Sequence, residues 1–300
     1  MGRFAGKATA RGKAPGACAA LRPRGGFPLF LARLRARIRA TPKKPRGRAC
    51  WSPARDGSGF SGDGMAEPLV LLPELMCDAR LFGPQIADLS RDMAVMVAPI
   101  NTGERVEEVA SGLLDVLPRR FALAGLGLGG VVAMELQRRA PDRVARLMLI
   151  NTTPLADTPQ QAADRDALII KARAGRLDQA VQALIPSECY APGPYKLEIQ
   201  AMLMDMAQTL GPETFVRQVR VLQRRRDQQG TLRKLRVPVT VLCGAHDTLH
   251  PEKRQSFLAE LIPGATLEVV EEAGHLLPLE APDRLSDLIR DWMGAPMLLR

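Results

Sequence analysis

The 300-residue sequence predicts an α/β fold: a mostly parallel sheet with helices on both faces and a helical block inserted late in the chain. Two observations carry this. Apolar runs of four to six residues alternate with segments of helical periodicity, the pattern of a parallel sheet buried on both faces. One of those runs, Phe121–Leu126, ends in a cluster of glycines and leads straight into a helical stretch, Val131–Ala140. That is a strand, a sharp turn and a helix. Such a turn needs glycine, which alone enters left-handed backbone space without a Cβ clash.

The elements follow in order. Leu69–Leu72 is a buried strand closed by Pro73, and residues 84–90 form a short helix. Met93–Ala98 is a second strand. Arg105–Leu117 is helical, because Val106, Val109, Leu113 and Leu117 recur at helical spacing. After the glycine turn comes the strand Leu147–Ile150. The alternation then stops. Residues from 154 to about 230 read as helices, at Asp164–Ala174, Leu177–Leu184, Tyr195–Thr209 and Thr214–Arg225. It resumes with the strand Val239–Cys243, the helix Glu252–Leu261, the strand Thr266–Val270 and a final helix, Asp283–Met293. A helical block in this position reads as a cap over a pocket at the strand C-termini.

Charge separates an extension from the body. Residues 1–64 carry 15 Lys and Arg against Asp56 and Asp63, a net +13, whereas the remainder carries 27 basic and 30 acidic residues, a net −3. The excess of positive charge therefore gives no reason to expect the folded body to bind nucleic acid. The composition of 1–64, rich in Ala, Gly, Pro and Arg, cannot bury enough apolar surface to offset the entropy of ordering. It is expected to be a disordered extension. It reads as a targeting segment, a charged binding tail or an upstream stretch preceding a start at Met65, and the last is favoured. Residues 65–300 form the folded domain, with its cap at about 154–230. No run reaches the roughly 18 apolar residues of a membrane span. Five cysteines, Cys18, Cys50, Cys77, Cys189 and Cys243, stand at irregular spacing with no C-x-x-C pair, which implies free thiols in a reducing, cytoplasmic setting.

The glycine cluster admits two functional readings. Gly125, Gly127 and Gly130 spell the G-x-G-x-x-G of a dinucleotide site. That site belongs on the first strand, with a carboxylate roughly 20 residues on. Here two strands precede the cluster, and the next strand ends in Asn151-Thr152-Thr153. The other reading is the nucleophile elbow G-x-S-x-G, with Gly125 and Gly129 as its outer glycines and Gly127 in the place of the serine. Later loops favour the elbow. The strand at 239–243 leads to Gly244-Ala245-His246-Asp247, and the next leads to Ala273-Gly274-His275. Elbow, acid and histidine thus follow in the chain order of a hydrolytic triad.

On these motifs the stretch from Glu67 to Trp292 resembles the α/β-hydrolase fold family. It is similar to a capped, bacterial carboxylesterase-like branch whose first strand runs into a Leu-Pro-Gly-x-x-Cys-Asp loop. The chain has Leu72-Pro73-Glu74-Leu75-Met76-Cys77-Asp78 there, with Glu74 where relatives carry glycine. The resemblance implies that His275 is a general base and then acid, and that Asp247 orients it. It implies an oxyanion hole from the backbone amides of Leu75 and Leu128. A carboxylate at Glu74 would oppose an oxyanion in that hole. With Gly127 at the elbow there is no covalent acyl-enzyme. Placing serine there is expected to cost roughly 1 kcal/mol through positive-φ strain.

The implied substrate is a small apolar carboxylic ester or thioester, with Tyr190, Met202 and Met206 of the cap as lining candidates. Two alternatives stand beside it: a non-catalytic ligand-binding protein, and a lyase-type enzyme using His275 without a covalent intermediate. No cofactor motif is present in the body, and His246 and His250 lack a third metal ligand.

Overall fold

The computed structural model describes residues 67–295; the extension predicted over 1–64 lies outside them. Six strands form one sheet: β1 (Leu69–Leu72), β2 (Val95–Val97), β3 (Phe121–Leu126), β4 (Val144–Ile150), β5 (Val239–Gly244) and β6 (Thr266–Val270). Their order is β2-β1-β3-β4-β5-β6, and every pairing is parallel. All strands therefore end at one edge, and the loops leaving them share that edge. β1, β3 and β4 are buried along their whole length, which is why they read as unbroken apolar runs.

The helices are α1 (Gly83–Leu89), α2 (Val106–Val116), α3 (Leu128–Arg139), α4 (Pro159–Arg173), α5 (Leu177–Leu184), α6 (Lys196–Arg224), α7 (Gln229–Leu232), α8 (Glu252–Leu261), α9 (Leu277–Glu280) and α10 (Pro282–Gly294). α3 runs directly out of the glycine turn and is buried through its first ten residues. That explains its apolar and small-residue character. α4 opens with a capping box, in which the Thr158 hydroxyl accepts from Gln161 N and the Gln161 side chain accepts from Thr158 N. α4 to α7 fill the interval between β4 and β5, the position of the predicted helical block. α6 is interrupted at Gly211, whose φ is 77°, just before Pro212. The break matches the gap between the two helices read from the sequence. Short turns at Ala79–Phe82, Ser187–Cys189, Gln229–Leu232 and Leu277–Glu280 carry no periodicity and were invisible in the sequence.

Among the described residues no helix is long and apolar enough to cross a membrane. Cys77, Cys189 and Cys243 are free thiols, and all are buried.

The centre of the core is β3. Leu123 is 0% exposed there, whereas Ile170 on α4 is 67% exposed. We expect Leu123→Ala to cost about 2–5 kcal/mol, through lost transfer energy and a residual cavity. Ile170→Ala should change stability by less than about 0.5 kcal/mol. Urea unfolding midpoints of the two variants check the contrast.

Candidate active site

The register of the sheet builds the site. Leu72 of β1 lies opposite Gly125 of β3. Two residues further along each strand stand Glu74 and Gly127, so these two meet at the sheet edge. Gly244 of β5 lies opposite Val270 of β6, and the loops that follow carry Asp247 and His275. β4 separates the two pairs, and Asn151 at its end ties the loops after β5 and β6 together. Its side-chain nitrogen donates to the carbonyls of Gly274 and His275, both at 2.9 Å, and its oxygen accepts from Gly244 N at 3.1 Å. Asn151 adopts a positive φ of 42°. The strained backbone is held by these three bonds, which lock the histidine loop to the sheet.

Gly127 has φ 53° and ψ −111°, the left-handed turn of an elbow. Its amide donates to Ile150 O at 3.0 Å, and its carbonyl accepts from the Thr152 hydroxyl at 2.7 Å. Gly129 packs so closely on the Leu72 and Pro73 carbonyls that a Cβ there would overlap them. The loop after β1 is anchored in turn by α6, where the Gln218 side-chain oxygen accepts from Met76 N at 2.9 Å.

Asp247 and His275 are both buried. His275 Nδ1 lies 2.8 Å from Asp247 Oδ2, while Asp247 Oδ1 accepts from the amides of Leu249 and His250 at 2.8 and 3.1 Å. The Nε2 of His275 faces the elbow. Glu280 fixes the histidine loop from behind, accepting from the amides of Ala191, Gly274 and Leu276 at 2.7 to 2.9 Å. Neither Asn151 nor Glu280 was singled out by the sequence. The Asn151 bonds join distant segments, and Glu280 links its own loop to Ala191 far along the chain.

Glu74 is the decisive departure. Its side chain turns into the site rather than away. Oε2 accepts from Leu128 N at 2.8 Å and lies 3.8 Å from His275 Nε2. It occupies the space into which a side chain at position 127 would project; a Cβ built on Gly127 would fall on the Glu74 carboxylate. The Leu75 and Leu128 amides both favour the ionised form of Glu74. The two backbone donors assigned to an oxyanion hole thus serve the chain's own carboxylate. That carboxylate also sits at the N-terminus of α3, where the helix dipole favours negative charge.

Electrostatics follow from this cluster. Burial raises Glu74 above the ordinary carboxylate value, and the nearby imidazole and amides only partly offset it. Burial alone would lower His275, but the Asp247 charge, the Asp247 hydrogen bond and the Glu74 charge raise it to about 9. Asp247 is lowered: burial opposes its ionisation, and the charge and hydrogen bond of His275 outweigh that. Burial lowers the adjacent His250 to about 3, so it stays neutral. Cys77 is pushed well above its ordinary value by burial and then by Glu74, which keeps it a thiol.

Glu74, Leu75, Gly127, Leu128 and His275 line a cavity of about 430 Å³. Part of its remaining wall comes from the helical block, including Arg165 of α4, Ala183 and Leu184 of α5, and Leu222 of α6, and part from the sheet edge, including Val131, Thr152 and His250. The expectation that Tyr190, Met202 and Met206 line this cavity is corrected. Met202 and Met206 are buried on the face of α6 that also carries Ile199 and Leu203, and they serve as packing. Tyr190 borders a separate hollow with Pro186 and Met204. A larger hollow, of about 730 Å³, lies beside the end of α3 and contains no imidazole or thiol.

The sequence profile of the alpha/beta hydrolase family matches residues 14–288. The chain belongs to the alpha/beta hydrolase family. It is 30% identical over 205 residues to a pimeloyl-[acyl-carrier protein] methyl ester esterase of Aromatoleum aromaticum, covering 63% of this chain and 80% of that one. A putative carbamate hydrolase, RutD, of Yersinia enterocolitica is 23% identical over 245 residues, covering 76% and 87%. A thermophilic esterase from Thermogutta terrifontis superposes with a TM-score of 0.70 at 26% identity, covering 77% of this chain and 90% of that chain. The relatives are thus esterases and hydrolases of this family.

Glu74 stands where a serine side chain at the elbow would project, a contact that adds to the positive-φ cost expected for that change. We expect Gly127→Ser to destabilise by several kcal/mol in the native background, from overpacking and positive φ together. Removing Glu74 should relieve most of this. A double-mutant cycle of G127S with E74G, read by urea unfolding, should give a coupling of about 1–3 kcal/mol that favours the double variant over additivity.

The raised His275 value makes a second prediction. Its folded value of about 9 exceeds the ordinary 6.5. The stabilisation is therefore complete below pH 6.5 and is lost as pH rises through about 9, by an amount on the order of 3 kcal/mol. Unfolding free energies at pH 6.5 and 9.5 should fall in the wild type, and His275→Gln should flatten that slope.

Proposed function

We propose that this protein hydrolyses a small, largely apolar carboxylic ester or thioester without forming an acyl-enzyme, using His275 oriented by Asp247. The single observation that carries this reading is the 2.8 Å Asp247–His275 bond, with Nε2 turned to an elbow that has no hydroxyl or thiol. A binding protein has no use for a buried acid–imidazole pair aimed into a cavity. The esterase and hydrolase names of the relatives support an ester-type substrate.

Other nucleophiles are poorly suited. Cys77 stays protonated, and the Thr152 hydroxyl is committed to the Gly127 carbonyl. With no side chain at position 127, attack falls to water, and His275 takes part in the proton transfers. The α4–α6 helices serve as the cap, closing the apolar side of the cavity through Ala183, Leu184 and Leu222.

Two measurements test the reading. Wild-type protein should hydrolyse phenyl acetate slowly yet measurably above His275→Gln, which should lose about 100-fold or more. It should not be labelled by a fluorophosphonate. Rapid stoichiometric labelling would place a covalent nucleophile in the site and reject the non-covalent mechanism. Wild-type turnover no faster than His275→Gln would reject the hydrolytic reading altogether.

A further inference from the structure

We infer that Glu74 is a catalytic residue of this site: it is the general base that activates water, and His275 is the general acid that protonates the leaving group. The inference rests on the hydrolytic reading above and assigns a role to a residue that replaces, in space, the missing elbow side chain.

Three placements carry it. Among the described residues that line the cavity, Glu74 is the only carboxylate. Asp247 is spent on the imidazole and two amides, and Glu280 on three amides behind the histidine loop. Next, Oε2 of Glu74 and Nε2 of His275 stand 3.8 Å apart. That is too long for a direct hydrogen bond, but one oxygen atom on the cavity side can lie within about 2.8 Å of both. Water and a leaving-group oxygen can use that position in turn. Finally, the Leu128 amide holds Oε2 at 2.8 Å, at the N-terminus of α3. The base is fixed in place rather than swinging on a free side chain.

The charge state agrees. His275 is held protonated up to about pH 9, while the Leu75 and Leu128 amides favour the ionised form of Glu74 against the burial that raises it. An imidazolium cannot accept a proton from water, but it can donate one. The neighbouring carboxylate supplies the missing base.

The step balances. Water gives a proton to Glu74 while its oxygen bonds to the ester carbonyl carbon. The bond from that carbon to the leaving oxygen breaks, and the leaving oxygen takes the Nε2 proton of His275. The proton on Glu74 then passes to Nε2, which restores both groups. Ester and water become acid and alcohol, with no redox partner and no covalent intermediate.

The experiment uses the full chain and phenyl acetate. Wild-type kcat should show an acid limb from Glu74 and an alkaline limb near pH 9 from His275. Glu74→Gln should lower kcat at least about 100-fold with KM within about threefold, and abolish the acid limb of the residual rate. Glu74→Asp, which keeps the charge, should recover part of the rate. Turnover in H2(18)O should label the acetate and leave the tryptic peptide containing Glu74 unlabelled. That measurement and the wild-type pH profile need no variant, so they decide the matter even if Glu74→Gln fails to fold. A Glu74→Gln enzyme as fast as wild type with both limbs intact, or a wild-type profile with no acid limb, overturns the base. Label in the Glu74 peptide overturns it in favour of a carboxylate nucleophile. Loss of rate in His275→Gln without loss in Glu74→Gln sinks the role of Glu74 and leaves the hydrolytic reading standing. A wild type no faster than His275→Gln removes both.

Discussion

The space above Gly127 holds one group, and in this protein that group is the Glu74 carboxylate. The rest of the site is arranged around this exclusion. Parallel pairing of β1 with β3 brings positions 74 and 127 face to face, so a side chain at 127 meets the Glu74 carboxylate. A side chain at 127 requires Glu74 to leave, and Glu74 in its present seat requires glycine at 127. Two departures that look independent along the chain, a glutamate in one loop and a glycine in another, are therefore one structural substitution. The carboxylate has not simply been tolerated. It takes the amide of Leu128 and lies at the N-terminus of α3, where a negative charge is welcome in any protein.

This seat inverts the usual division of labour at such an edge. A histidine that must act as a base needs to be neutral at working pH. Flanked by Asp247 and Glu74, His275 is held protonated until about pH 9. Burial opposes the charge on all three groups, yet an imidazolium between two carboxylates gains from both sides what it loses in solvation. Asn151 and Glu280 complete the arrangement by fixing the loop that carries the ring. Loss of either would move Nε2 relative to Oε2 without touching a charged group of the cavity.

Much of this was legible in the sequence, for identifiable reasons. Buried strands announce themselves as apolar runs, so β1, β3 and β5 were placed to within a residue or so, and β6, though partly exposed, was placed equally well. The glycines around 127 and the order of Asp247 and His275 pointed to one sheet edge, because parallel strands must end together. Glu74 stood out as a carboxylate beside a predicted amide. Its orientation was not legible, since that depends on the register between strands separated by about 50 residues of chain. The cap was harder still. Met202 and Met206 lie four residues apart on one helical face, and an apolar face can equally line a pocket or fill a core. Here α6 packs on α4 and α5 and uses that face as core, while Ala183, Leu184 and Leu222 meet the cavity. Asn151 had no local signature, because it bonds to segments far along the chain, and Glu280 caps backbone amides of a turn with no periodic pattern.

The distribution of charge across the cavity gives the arrangement a direction. Its floor holds the Glu74 carboxylate and the His275 imidazole, with the Asp247 carboxylate behind the ring. Its outer wall holds Arg165 and Arg225, paired to the single buried Asp157, together with the exposed Arg254. Arg225 itself loses by burial and is sustained by Asp157, with a further contribution from Glu74. A neutral ester feels little of this gradient. A carboxylate released beside Glu74 is repelled from the floor and attracted towards the guanidinium groups. In water such forces would be small, but in a partly dry cavity they are several times larger. On the hydrolytic reading, the residue that replaces the nucleophile therefore also makes the site a poor place for the acid product to stay.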